Sequence, residues 1–385
     1  MPRANEKKES RQAKKSSEKK INLFVSHVDD SIFASSKLVN MAIYAVLEAP
    51  QELYFGSHSE RNLNVLEKVL LRVEGGEGEN RRYIDVEKPY YSPTKQRGVE
   101  RRAIAYSIVK TNSGELKPYY KYFNLSIDVT KTYKNGQPDP RDVLTYVWGA
   151  TWTEPTMYLR GRVGYGGGVA IQPRQVLSKL RNRVEYRLYD QVTKQESEES
   201  EETAQMIWSK EYVEPHILIP VYRSYMLLGV DNMEPHAVAY AFLEGLRLAG
   251  AGTPKGMSIL ESYWLGDNAK EKTVVVDVGT SLLPEPVVIS PAIPSIQEAL
   301  DEIRRKALSV HDKILHDYSD PGQVFDKAVN NRYYRLIGNT AYNFLRDLAE
   351  KFIEDYLMKI EELEIPRVKK MREKMAEEEQ EEGQG

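Results

Sequence analysis

The order of its apolar segments constrains this chain more than any single motif. Met41 to Phe55 alternates as a strand does, with Ala42, Tyr44 and Val46 set against Ile43, Ala45 and Leu47. It breaks at Ala49-Pro50 and resumes at Leu53. Gln96 to Val109 reads as an arginine-laden helix, and Thr156 to Val163 as a second strand. Pro215 to Val230 is a long apolar strand region. Asp231, with Glu234 three positions on, forms a capping-box-like start for a helix running to about Leu248. A last strand occupies 257–264. The succession is strand, helix, strand, strand, helix, strand.

That succession is the ferredoxin-like or RRM-like βαββαβ plan of the α+β class. It predicts a core over 21–265 with large inserted segments at approximately 110–140 and 170–214. Both helices on one face of an antiparallel sheet would leave the other face free, a surface that RNA-binding proteins use. After 265 the character changes to a strand at Thr273 to Gly279 and a C-terminal helical appendage reaching 365. Ser295 with Glu298 repeats the capping box. Ile296, Leu300, Ile303, Ala307, Val310 and Ile314 follow at helical spacing. A second helix, Thr340 to about Leu363, uses Leu345, Leu348, Phe352, Tyr356 and Ile360. Residues 1–20 read as a disordered basic tail and 366–385 as a charged tail.

Composition removes whole classes of chemistry. The 385 residues contain no cysteine, so disulfides, thiolate metal sites and cysteine nucleophiles are excluded. A hydrophobic content of 41% supports a buried core. A cysteine-free chain rich in Glu, Lys, Arg and Tyr fits a soluble, heat-adapted cytoplasmic protein. Met1 to Lys20 lacks the apolar stretch of a secretory signal, and no run of about 18 apolar residues suggests a membrane span. The six histidines show no metal-ligand spacing, so neither a metal nor any other cofactor is expected. No Gly-x-Ser-x-Gly elbow occurs to anchor a hydrolase triad.

The net charge of −3 hides an uneven distribution. Tyr158 to Asp190 holds seven Lys/Arg against two acids, and Arg81 to Arg102 seven against three. Nucleic acid responds to the local field, so a near-neutral total is compatible with an RNA partner. The run Leu159-Arg160-Gly161-Arg162-Val163-Gly164-Tyr165 sets guanidinium groups beside bare backbone, with Tyr165 available to stack on a base. Arg174, Lys179, Arg181, Arg183 and Arg187 extend it. The alternative is an edge strand followed by a solvated basic helix. Arg97 and Arg101 are the candidate contacts of the first helix. The loop Gly250 to Gly256 has the wrong order for a nucleotide: Lys255-Gly256 is not Walker A, and a helix precedes the loop where one should follow. Gly252, Arg247 and Lys255 could still seat an RNA phosphate. A plain helix C-cap is the equal alternative. Glu196 to Glu202, five Glu in seven residues, reads as the mobile tip of an insert.

Three patches resemble the RAMP-type backbone subunit of CRISPR interference complexes, most closely that of type I-D systems. The first is Ala42 to Asn62, ending in His58 and Arg61-Asn62. The second is Asp139-Pro140-Arg141-Asp142-Val143-Leu144-Thr145-Tyr146-Val147-Trp148-Gly149. The third runs from Pro220 to Met257. Many relatives carry a cysteine-rich metal knot near the second patch; this chain has none, and no zinc site is carried over. The resemblance implies a CRISPR RNA-binding subunit that polymerises with copies of itself along the guide. Other effector subunits, and target DNA through base pairing to the guide, would be its further partners. It implies a palm contact at Arg61, with His58 and Asn62 beside it, and an inserted thumb between Arg174 and Pro215. A ribonuclease of the same superfamily is the alternative, for which only Asp29, Asp30 and His58 offer acid–base or metal-binding groups.

Overall fold

A computed structural model describes residues 37–55, 59–60, 63–75, 82–111, 147–153, 156–173, 178–186, 205–231, 233–250, 256–266, 268–280, 283–293 and 295–357. The expectations for both tails, for His27, Asp29 and Asp30, for 112–140 and for Glu196 to Glu202 fall outside these residues.

The protein is α+β, built on one central sheet. Its middle strand, β1 (Leu38–Glu48), is buried on both faces. Val39, Met41, Ile43, Ala45 and Leu47 enter one core, while Ala42, Tyr44 and Val46 enter another. The period-two alternation thus separates two apolar layers rather than core from solvent. Two hairpin strands, β2 (Lys68–Gly75) and β3 (Arg82–Pro89), precede helix α1 (Pro93–Thr111). The chain then gives β4 (Val163–Gly167), β5 (Ser178–Tyr186), β6 (Gln205–Val213) and β7 (Leu218–Gly229). Next come α2 (Glu234–Arg247), β8 (Val274–Gly279), α3 (Ile296–Ala307), α4 (Pro321–Asn331), β9 (Tyr333–Ile337) and α5 (Gly338–Phe352).

The βαββαβ plan is present, with two of its strands displaced from their expected positions. In space the order is β9, β8, β1, β7, β4, so the core strands β8–β1–β7–β4 are antiparallel neighbours. The last core strand is β8 and not 257–264, where only Ser258–Ile259 pairs briefly with the end of β1. The second is β4. The expected 156–163 strand is instead interrupted at Arg160, its first half, Thr156–Leu159, folding back on Ala150–Thr153. Strand β4 is an edge, and its closing glycines let other backbone segments approach closely. At its end Gly168, φ +91°, lies where an added Cβ would stand 2.1 Å from the Tyr91 carbonyl oxygen.

A cut at 265 would part β1 from its neighbour β8, and the later elements continue the same sheet and helix layer. Strand β9 pairs with β8, and α5 packs on α2. The second sheet face, expected to be free, is largely covered. Val287, Ala299, Ile303 and Ala307 pack onto Ala42, Tyr44, Val46 and Val275. Arg335 of β9 locks this cover down. Its guanidinium forks onto Asp277 of β8 at 2.6 and 2.8 Å and donates to the carbonyls of Lys306 at 2.8 Å and Glu285 at 3.0 Å. Arg335 and Asp277 are both fully buried.

Helix ends follow local chemistry only in part. Ser295 caps α3 by accepting from the Glu298 amide at 3.2 Å, as the box predicts. The helix stops at Ala307, short of Ile314, because Arg335 takes its last carbonyls and Val310 leaves helical geometry. Ile314–Leu315 becomes a short strand beside β9. The second C-terminal helix runs Gly338–Phe352 and widens into a π turn over Ile353–Leu357. At α2 the expected Asp231 cap is absent. Met233 takes the N-cap position with φ 57° and no side-chain bond, and Glu234 is used elsewhere.

His236 of α2 is wedged against Phe325 of α4 with ring centroids 6.2 Å apart, and its Nδ1 has no hydrogen-bond partner among the described residues. Burial, with Lys351 nearby, pushes its pKa down to about 4, against the opposing pull of Asp355 and Asp320. The unfolded chain takes up this proton near pH 6.5, the folded chain only near 4. The stabilisation is therefore complete above pH 6.5 and is lost as pH falls towards 4, an effect of about 3 kcal/mol. Urea unfolding of His236→Leu should show a slope between pH 6.5 and 4 shallower than wild type; equal slopes would refute this assignment.

Candidate nucleic-acid interface

The two arginines of the arginine–glycine run part company, Arg162 being buried and Arg160 exposed. Beneath β4 and β7 lies the single acid of the α1 surface that meets the sheet, Glu100, which is buried. Arg223 of β7 donates to Glu100 Oε1 at 2.6 Å and also bonds Gln96. The Tyr165 hydroxyl donates to Glu100 Oε2 at 2.6 Å and accepts from the Trp148 indole at 2.6 Å. Tyr225 reaches the same carboxylate at 3.3 Å. Burial holds the Tyr165 and Tyr225 hydroxyls well above their ordinary pKa, so both stay protonated donors. The Arg223 guanidinium stacks 4.9 Å from the Tyr165 ring centroid. Tyr165 is thus a strut between sheet and helix, which corrects its expected role as a platform for a base.

Arg162 is corrected in the same way. It is 9% exposed, pairs with Glu234 at 2.7 Å and donates to the Leu227 carbonyl. A phosphate could reach it only by displacing a buried carboxylate, at a cost of several kcal/mol. Arg160, two residues earlier, is exposed. Arg97 bonds the Trp148 carbonyl, and Arg101 is half-buried on α1. Arg247 pairs with Glu244 at 2.8 Å. The described ends of the Gly250 loop behave as a helix terminus. Met257 and Ala249 both donate to the Leu246 carbonyl, at 2.8 and 3.2 Å, and Gly256 has φ +64°. Gly252 and Lys255 lie outside the described residues, as do His58, Arg61, Asn62, Arg174 and Arg187.

The basic stretch after Arg174 is a strand where a solvated helix was the alternative. Lys179, Arg181 and Arg183 occupy alternate positions of β5, opposite Tyr212, Lys210 and Trp208 of β6. A two-residue period places all three positions on one face of the ribbon. Strand β6 also pairs in parallel with Leu63–Asn64, which pairs with Ser59–Glu60. One four-stranded sheet thereby gathers the strands that flank positions 61 and 62 with the strand carrying the basic triplet. It is tied to the core where Glu211 of β6 accepts from the Leu66 amide at 3.0 Å and pairs with Lys68 at 3.0 Å. The sequence signal for this ribbon was the alternation of cations at 179, 181 and 183 with Leu180, Asn182 and Val184.

Among the described residues, no group of three or more His, Asp or Glu is placed to hold a metal ion. No described helix is long and apolar enough to cross a membrane.

No family model matches the sequence, and no curated protein matches it. Among solved structures, the chain is similar to the crystal structure of Thermofilum pendens Csc2 at 15% identity, over 89% of this chain and 95% of that one, with a TM-score of 0.40. It is also similar to a chain of a CRISPR RNA-guided surveillance complex in a pre-nicking state, at 11% identity over 71% and 89%, TM-score 0.36. A third similarity is to a chain of a CRISPR RNA-guided surveillance complex, at 10% identity over 71% and 84%, TM-score 0.32.

Proposed function

We propose that this chain is a CRISPR RNA-binding backbone subunit of a type I-D-like interference complex, a cytoplasmic scaffold rather than an enzyme. Copies of it line the guide by phosphate contacts, alongside other effector subunits, and target DNA reaches the assembly by pairing with the guide. The observation that carries this reading is the four-stranded sheet joining β5 to the strands around 61 and 62. Strands from two stretches far apart in sequence, one pair flanking positions 61 and 62 and one carrying the basic triplet, are joined in one sheet. The β5–β6 ribbon stands where the resemblance puts a thumb. Cations at alternate strand positions recur about every 6.6 Å, close to the phosphate spacing of an extended single strand. Arg160 adds a charge at the sheet edge.

The test is a length series. Purified protein titrated onto guide RNAs of increasing length should saturate at a copy number that rises in proportion to length. A fixed ratio of one copy per RNA would contradict the scaffold. Complementary RNA added with Mg²⁺ should remain intact; periodic cuts would make the chain a ribonuclease.

A further inference from the structure

The ladder between β1 and β7 carries one residue too many. Val39 faces Leu228 and Met41 faces Tyr225, so Met226 and Leu227 together stand opposite Asn40. Such a bulge re-aims side chains. Here Met226 is 48% exposed and Leu227 39%, while Tyr225 and Leu228 on either side are fully buried. Leu227 has φ 53°, a backbone conformation that leucine adopts only where its surroundings impose it.

The surroundings do impose it. The Leu227 amide donates to Asn40 Oδ1 at 2.9 Å, and its carbonyl accepts from Arg162. The Met226 amide donates to the Arg162 carbonyl at 2.9 Å. Glu234 holds the Arg162 guanidinium with one oxygen and the Gly229 amide, at 2.9 Å, with the other. A buried ion pair and four hydrogen bonds to backbone groups thus keep two apolar side chains in solvent. Among the described residues the face around them is bare. Ser224 and Gly164 are cross-strand partners and both exposed, and a Cβ on Gly164 would meet nothing nearer than 3.9 Å. Among the described residues, the cover of the second sheet face does not reach this corner. Arg160 is exposed on the chain entering β4.

We propose that Met226 and Leu227 form an apolar wedge that packs against unstacked bases of a single-stranded RNA lying across Gly164, with its phosphates drawn by Arg160. The proposal rests on the RNA-binding reading above. Charge and shape favour this occupant: a cation and an open strip of backbone suit a sugar-phosphate chain, and apolar side chains inserted at a base step are an established means of holding nucleic acid.

The experiment uses the full chain and two probes of equal length and charge, a single-stranded RNA of about eight nucleotides, short enough for one copy, and an abasic phosphodiester chain. Leu227→Gly keeps the backbone, because glycine accepts the positive φ, and Met226→Ser removes the second apolar group. Thermal unfolding of each variant is compared with wild type. The double variant is expected to bind the RNA roughly tenfold more weakly, the loss of about one base contact, and the abasic chain as wild type does. Arg160→Glu should weaken both probes. Unchanged RNA affinity, in a wild type that binds RNA, would overturn the wedge and leave the scaffold reading standing. Equal losses on both probes would also overturn it. So would a loss seen only on long RNA, which would make the bulge a contact between copies. Failure of the wild type to bind RNA would remove the RNA-binding reading itself.

Discussion

Reversing the ribbon charges together, as Lys179→Glu, Arg181→Glu and Arg183→Glu, is expected to weaken RNA binding about a hundredfold at ~0.1 M salt. The estimate follows from counterion release. Each phosphate neutralised on a single strand contributes about 0.7 to the slope of log K against log salt, so three contribute about 2. The slope should become shallower by that amount, and the loss should be uniform across RNA sequences, because phosphate contacts position without reading bases. The strand pairing of β5 with β6 is made by backbone groups, so the ribbon should persist in the variant. Anisotropy titrations at several salt concentrations check both quantities. An unaltered slope would place the RNA path away from the ribbon.

The second large effect concerns stability. Arg335→Ala is expected to lower the unfolding free energy by about 3–5 kcal/mol, because it strands the Asp277 carboxylate in a dry interior. It also takes one donor away from the carbonyls of Lys306 and Glu285. The cover over the second sheet face should loosen first, since Arg335 ties β9 to the end of α3 and to the segment before it. Against a typical total of about 5–15 kcal/mol, a loss of this size leaves the fold marginal. The paired change Asp277→Val with Arg335→Met should recover much of it, because apolar replacements of similar volume need no compensating charge. Urea denaturation of the three proteins distinguishes the cases; a loss below about 1 kcal/mol in Arg335→Ala would contradict the account.

The same physics explains what could be seen in the sequence. Strand β1 and helix α2 were legible because their apolar periods are long and unbroken. The Ser295 cap was legible because it is local. The last core strand was not: 257–264 and 273–279 are similar apolar runs, and the choice between them turns on Asp277. That acid is admissible inside a sheet only because Arg335, 58 residues on, pairs with it. The roles of Arg160 and Arg162 were inseparable for the same reason. Both read as cations in a glycine-rich run, and Arg162 is withdrawn from solvent by Glu234, 72 residues away. Glu100, alone among the arginines of α1, was the available hint that a buried cation faces that helix. The period-two cations of β5 were the hint for the ribbon. A charge census over the window registered their number and not their spacing.

The central claim is that RNA lies on the sheet formed by β5, β6 and the strands around 61 and 62. Ultraviolet crosslinking of the full chain to guide RNA, followed by peptide mapping, addresses it most directly. Crosslinks are predicted in the peptides spanning 59–64 and 178–186. Crosslinks confined to the β2–β3 hairpin or to α3 and α4, with none in those two peptides, would contradict it.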